Sequence, residues 1–201
     1  MSNNVLAIYN SLMGENGNST ALVKQFVQDW QHKHPNSEVT SRDLVQNALP
    51  HLSLAEMGAW MTPAEQRNEE QQQLAALSDN LIKELLAHDV IVIGMPLYNF
   101  GISSQFKAWL DRIARAGVTF KYTETGPVGL VNGKKVYVLA ARGGLYQGTD
   151  KDTQTKYLQD FFNFIGISEI EFVYAEALAM GDDSKQQALA AAKQQIQQKI
   201  A

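Results

Sequence analysis

The chain has 201 residues, of which 45% are hydrophobic and 19% charged, with a formal net charge of -4. That make-up suits one globular domain spanning residues 1–201. It contains no cysteine, which excludes disulfides, thiolate-held zinc, iron–sulfur clusters and thiol nucleophiles, so any redox work falls to a bound cofactor. Lys and Arg are scattered rather than striped, no apolar run is long enough to span a bilayer, and no basic stretch precedes the short Val5–Tyr9 run. Neither a nucleic-acid partner, nor a membrane, nor a signal peptide is expected, and the location expected is cytoplasmic.

Val5–Tyr9 reads as a β-strand. The loop after it, Asn10 to Ser19, is small, polar and glycine-containing, and it opens a helix around Ser19–His34. Exposed N–H groups and Ser and Asn side chains at a helix start suit a phosphate. The loop lacks the lysine of a P-loop, and its glycines do not fit G-x-G-x-x-G, so a phosphomonoester fits best. Taken alone, such a loop is also plain turn and cap chemistry. His32 and His34 are two apart at the end of this helix and share no face, so a solvated surface is the reading rather than a metal pair.

Glu38–Asp43 reads as a second strand, and Leu44–Met61 as a long connection in which Trp60 pins the loop to the body. Thr62-Pro63-Ala64-Glu65 has the form of a capping box with proline at the first helical position. The helix it predicts carries Leu74, Leu77, Leu81, Ile82 and Leu85 on one face. Val90–Met95 is apolar on both faces, which marks a central strand of a parallel sheet.

Its loop, Pro96-Leu97-Tyr98-Asn99-Phe100-Gly101, offers aromatic faces beside backbone donors and so suits a flat heteroaromatic ring. Ser103 is placed to cap a helix reaching Ala116, with Phe106, Trp109, Leu110 and Ile113 on its buried stripe. A second insertion, Val118–Lys134, follows.

Lys135–Ala140 is the fourth strand. Its loop, Ala141-Arg142-Gly143-Gly144, lets the backbone approach a ligand and supplies a fixed positive charge at Arg142. A helix over Asp152–Ile165, a strand over Glu169–Ala175 and a last helix opened by the capping box Ser184-Lys185-Gln186-Gln187 complete the chain.

Five strands alternating with helices predict an α/β fold: a flavodoxin-like three-layer α/β/α arrangement with a five-stranded parallel sheet in the order 2-1-3-4-5. In that order the first, third and fourth strands are neighbours, so their three loops converge on one crevice. No Gly-x-Ser-x-Gly elbow occurs, and hydrolase chemistry has no support.

The runs His88-Asp89-Val90-Ile91-Val92-Ile93, Pro96-Leu97-Tyr98-Asn99-Phe100, Ala114-Arg115-Ala116-Gly117-Val118-Thr119-Phe120, Tyr122-Thr123-Glu124 and Phe164-Ile165-Gly166-Ile167 closely resemble the FMN-dependent NADH azoreductases. The resemblance covers essentially the whole chain. It implies bound FMN, NADH as electron donor, and two-electron reduction of quinones and azo compounds in a ping-pong order.

By the same resemblance, Ser11, Gly17, Asn18 and Ser19 would hold the FMN phosphate. Pro96, Leu97, Tyr98, Asn99 and Phe100 would line the isoalloxazine ring, and Ala141, Arg142, Gly143 and Gly144 its pyrimidine side. The family works as homodimers with the site at the subunit interface, and Phe120, Tyr122 and Phe164 match positions that border the substrate. No catalytic acid or base and no metal is implied. The family often has serine where this chain has Gly17 and Ala141; each change removes a hydroxyl donor contributing roughly 1 kcal/mol, with the backbone donors expected to remain. Two other classes share the fold: a flavodoxin-type one-electron carrier, usually more strongly acidic, and a binding module without turnover.

Overall fold

The computed structural model describes residues 3–200. Val5–Tyr9 (β1), Val39–Asp43 (β2), Val90–Pro96 (β3), Lys135–Ala141 (β6) and Glu169–Ala175 (β7) form one parallel sheet in the order β2-β1-β3-β6-β7. Counting only strands of this sheet, that is the 2-1-3-4-5 order expected. The remaining strands, Phe120–Thr123 (β4) and Gly126–Gly129 (β5), pair antiparallel as a hairpin.

The period of two along each strand divides the core in two. Val5, Ala7, Val90, Val92, Leu139 and Val173 face Asn18–Lys33 (α1) and Asp182–Lys199 (α6), through Leu22, Phe26, Trp30, Ala192 and Ile196. Leu6, Ile8, Ile91, Ile93, Val136 and Val138 face Glu69–Ala87 (α3), Ser104–Ile113 (α4) and Thr153–Ile165 (α5). Every residue of β3 is buried, as its apolar composition on both faces demands.

Four local expectations are corrected. The helix assigned to the Thr62 box starts later: Ala64–Gln66 forms a single 3-10 turn, and α3 is opened by Asn68 and Gln71, whose side chains bond each other's backbone N–H at 3.1 and 2.9 Å. Thr62 instead ends a preceding helix. The Arg67 guanidinium accounts for this, since its Nε donates to both Ala59 O and Thr62 O and clamps the turn between the two helices.

That preceding helix, Leu54–Met61 (α2), lies inside the stretch expected to be a connection, and Ser53 and Glu56 cap it reciprocally. The helix α4 stops at Ile113 rather than Ala116, because the buried Thr119 hydroxyl donates to Ile113 O at 2.6 Å and accepts from Arg115 N at 2.9 Å. The last helix begins at Asp182, after Gly181, rather than at Ser184, with Asp182 and Asp183 placed where the helix dipole favours anions.

Both insertions are fastened by specific chemistry. In α2, the Glu56 carboxylate accepts two hydrogen bonds from Arg112 of α4, at 3.0 and 2.8 Å, and neither residue is more than 5% exposed. The Arg115 guanidinium lies 5.7 Å from the Trp60 ring centroid, so Trp60 does pin its segment to the body. The hairpin is seated by Gly129, where a Cβ would lie 2.1 Å from Gly166 N: the two backbones touch, and only glycine permits it.

Candidate functional site

The loops after β1, β3 and β6 meet in one cleft of about 330 Å³. From the first loop it is bordered by Ser11, Gly17, Asn18 and Ser19; from the second by Pro96, Leu97 and Tyr98; from the third by Ala141, Arg142 and Gly143. These expected residues are therefore brought together.

The first loop is held on the sheet from below. Asn10 is 1% exposed, donates to Gly94 O at 2.5 Å, and accepts from the Ser103 hydroxyl at 3.0 Å. The start of α1 comes equally close: a Cβ on Gly94 would lie 3.0 Å from Ser19 O, so the absence of a side chain on β3 sets how deep the helix start sits.

The cap of α1 is Gly17, which has no side chain to satisfy the helix start. Helical bonding begins at Ala21 N to Gly17 O, 3.0 Å, so the N–H groups of Asn18, Ser19 and Thr20 have no acceptor among the described residues. Ser19 is 2% exposed and its hydroxyl is likewise unspent. The Gly17 N–H itself is used within the loop, on Gly14 O. The donors that remain are thus those of Asn18 to Thr20 rather than that of Gly17.

The second loop is a tight two-residue turn. Tyr98 and Gly101 exchange backbone hydrogen bonds at 3.1 and 2.9 Å, and Asn99 and Phe100 take φ of 49° and 63°. Positive φ at both central positions is the conformation of a type I′ turn, and at Phe100 it is a strained one. The chain around it holds it there: Gln154 Nε2 donates to Pro96 O and Gly101 O, and the Thr153 hydroxyl to Phe100 O. The Tyr98 hydroxyl accepts from Leu12 N at 3.0 Å, and Leu97 N donates to Ala141 O at 3.1 Å, so the three loops are stitched to one another. Asn99 and Phe100 stand exposed on the rim rather than in the cleft.

In the third loop one expectation is corrected. Arg142 borders the cleft, but its guanidinium is 1% exposed and turned inward, onto Asp152 at 2.8 Å, Glu176 at 3.2 Å and Thr155 at 3.1 Å, with the Tyr174 ring 4.8 Å away. Two carboxylates neutralise it, so it braces the loop and presents no free charge. Burial alone would raise the Asp152 carboxyl, but hydrogen bonds from Arg142 and Thr155 outweigh it and hold its pKa below the ordinary carboxylate value. Gly143 and Gly144 keep backbone N–H groups without an acceptor among the described residues. Gly144 lies outside the cleft lining and against Tyr146, whose ring meets Phe100 edge-on at 5.7 Å.

A fourth segment had not been expected. Leu178, Ala179 and Lys185, after β7, complete the wall, through Leu178 N to Arg142 O at 3.1 Å and Ala179 N to Gly143 O at 3.0 Å. The signal for it was available: β7 neighbours β6, and its carboxyl end must open onto the same crevice. Phe120, Tyr122 and Phe164 form one cluster, with Phe120 4.2 Å from Phe164 and 5.6 Å from Tyr122 between ring centroids. It does not line this cleft; Phe120 instead borders a second, 430 Å³ hollow beside Trp60, Met57 and Met61 of α2.

The donor set fits FMN. Three unsatisfied N–H groups and a buried hydroxyl at a helix start match a phosphomonoester. The slot between Leu97, Tyr98 and the free N–H of Gly143 matches a flat ring with carbonyls at one edge, and among the described residues no carboxylate lines the cleft. Fold and site together define a flavodoxin-type α/β protein with a site for a phosphorylated planar ligand.

The comparisons with known proteins agree. The family of the flavodoxin-like fold matches residues 3–200, and the chain belongs to it. It is 55% identical over 197 residues to the FMN-dependent NADH:quinone oxidoreductase of Cellvibrio japonicus, covering 98% of each chain. It is 53% identical to the protein of that name from Alcanivorax borkumensis, over 96% of this chain and 98% of that one. Among solved structures, an azoreductase from Bacillus anthracis superposes with a TM-score of 0.90 at 28% identity, over 100% of this chain and 99% of that one. An FMN-dependent NADH-azoreductase from the same species, solved in complex with FMN, gives 0.85 at 27% identity, over 98% and 100%.

Proposed function

We propose that this chain is an FMN-dependent oxidoreductase that takes electrons from NADH and reduces quinones and azo compounds by two-electron, ping-pong transfer. The observation that carries it is the uncapped start of α1, with the Asn18 and Ser19 N–H groups and the Ser19 hydroxyl bordering one cleft with the Tyr98 and Gly143 loops. The likeness over nearly full length to proteins named for this activity supports the reading over a one-electron carrier. We read residues 1–201 as a single FMN-binding domain in a cytoplasmic protein; among the described residues no helix is long and apolar enough to cross a membrane.

When bound, FMN supplies a ring that accepts and returns hydride. The protein's part is placement. The start of α1 would hold the phosphate, Pro96, Leu97 and Tyr98 would set the plane of the ring, and the Gly143 N–H would be offered to its carbonyl edge. The Arg142 network keeps that third loop from collapsing into the slot. Donor and acceptor use the same open side in turn, so each leaves before the other binds.

A homodimer belongs to the same proposal. Met61 of α2 and Tyr122 of the hairpin, 82% and 73% exposed, lie beside Phe120, and Leu54 at the other end of α2 is 85% exposed. We infer that Phe120, Tyr122 and Phe164 of one copy wall the acceptor space over the cleft of the other. Phe164→Ala is then expected to raise the quinone KM several-fold with FMN affinity unchanged. Unaltered kinetics for every acceptor would remove Phe164 from that role. The activity is tested by initial rates of NADH oxidation at several quinone concentrations: parallel double-reciprocal lines are expected, and intersecting lines would contradict the ping-pong order.

A further inference from the structure

The charge inventory of the cleft is unusual. Among the described residues no carboxylate lines it, and of the two cationic residues there Arg142 is neutralised by Asp152 and Glu176. Lys185 is the other. It stands in the first turn of α6, partly buried, and its ammonium has no ion-pair or hydrogen-bond partner among the described residues.

The fold explains why this lysine reaches the site. α1 and α6 pack on the same face of the sheet, through Leu22, Phe26, Ala192 and Ile196, and both start at its carboxyl edge. Lys185 and the Asn18–Ser19 start of α1 therefore border the same cleft from adjacent helices. The β1 loop has no lysine of its own, and a phosphomonoester near neutral pH carries between one and two negative charges. Neutral N–H groups, a hydroxyl and the helix dipole compensate only part of that charge, and an unpaired ammonium in the same cleft supplies a full counter-charge.

We propose that Lys185 is the cationic partner of the cofactor phosphate, and that it sets this chain's preference for FMN over the unphosphorylated flavin. This rests on the FMN reading above and names a residue for it that lies some 170 positions along the chain from the phosphate loop. The neighbouring acids, Asp182 and Asp183, are exposed on the same turn and moderate the effect without entering the cleft.

The test is flavin-fluorescence quenching, titrating FMN and riboflavin separately into the purified protein and into Lys185→Met and Lys185→Arg, at low and at high salt. Lys185→Met is expected to raise the FMN Kd about tenfold, to leave the riboflavin Kd unchanged and to flatten the salt dependence of FMN binding. Lys185→Arg is expected to retain most of the affinity. Equal FMN affinity in wild type and Lys185→Met would overturn the assignment. So would an equal loss for both flavins, which would place Lys185 at the ring or in folding, or an unchanged FMN Kd with a raised NADH KM, which would give it to the donor's phosphates. If the wild-type chain binds neither flavin, the FMN reading falls, and the assignment of Lys185 falls with it.

Discussion

The pair between Glu56 and Arg112 joins the insertion helix to the body, and its removal has a calculable consequence. Arg112 is fully buried and donates to Glu56 Oε1 at 3.0 Å, Glu56 Oε2 at 2.8 Å and Ala108 O at 3.0 Å. Glu56→Gln keeps the volume but leaves the guanidinium buried without a counter-charge, and breaking a buried pair from one side costs about 3–5 kcal/mol. For a chain of this length each kcal/mol is worth roughly 2–4 °C in Tm, so a fall of roughly 6–20 °C is expected. Glu56 also closes the cap of α2 with Ser53, and the loss should appear first as faster amide exchange in α2. Thermal and urea unfolding measure the effect. The double variant Glu56→Met with Arg112→Met removes both charges, and it should recover most of the loss, since a buried pair contributes little net stability over apolar packing. A Glu56→Gln cost under about 1 kcal/mol, or a double variant less stable than both single ones, would show that the pair is not a buried, coupled ion pair.

Other outcomes follow from the same geometry. Ser19→Ala removes one unspent hydroxyl beside the phosphate donors; it should raise the FMN Kd about fivefold and leave the riboflavin Kd and Tm alone, as read by fluorescence titration and thermal melting. Gly129→Ala drives a Cβ into Gly166 N; it should cost roughly 1–3 kcal/mol in urea unfolding and weaken quinone binding more than FMN binding, by displacing the hairpin that carries Phe120 and Tyr122. Asp152 has a depressed pKa in the folded chain, so its contribution is present above the ordinary aspartate value of about 3.9 and is lost as pH falls through the lower folded value. Stability measured against pH should therefore decline on acidification below about pH 4, and Asp152→Asn should be less stable near neutrality with a shallower acid slope. An unchanged slope would show that the Arg142 network does not hold that carboxylate.

The sheet was legible in the sequence because its strands carry the strongest signal available. Val90 to Ile93 is short, β-branched and apolar on both faces, which favours a fully covered strand, and the alternation of Val5 to Ile8 between two helix layers follows from period two. The cleft was legible because strand order dictates which loops meet. What escaped has local physical reasons. Thr62 and Asn68 both begin sequences that cap helices, and only the long-range Arg67 bonds to Ala59 O and Thr62 O decide between them. α2 is 8 residues long, packs against α3 and is ion-paired to Arg112, which lies 56 positions away. The fate of Arg142 was invisible because its neutralising partners, Asp152 and Glu176, lie 10 and 34 positions away and are brought to it by the folding of separate loops. Lys185 was visible as part of a cap signature but not as a wall of the cleft, which depends on α6 packing beside α1.

If this cleft holds a flavin that NADH reduces in a single two-electron step, the protein carries out both halves of the reaction at one site. The most direct measurement is to mix the FMN-loaded protein with NADH in the absence of oxygen, follow the flavin absorption band, and then add a quinone. Bleaching in one phase, fully reversed by the quinone, is the predicted result. A flavin that stays bound and oxidised in the presence of excess NADH would rule out NADH-driven reduction at this site.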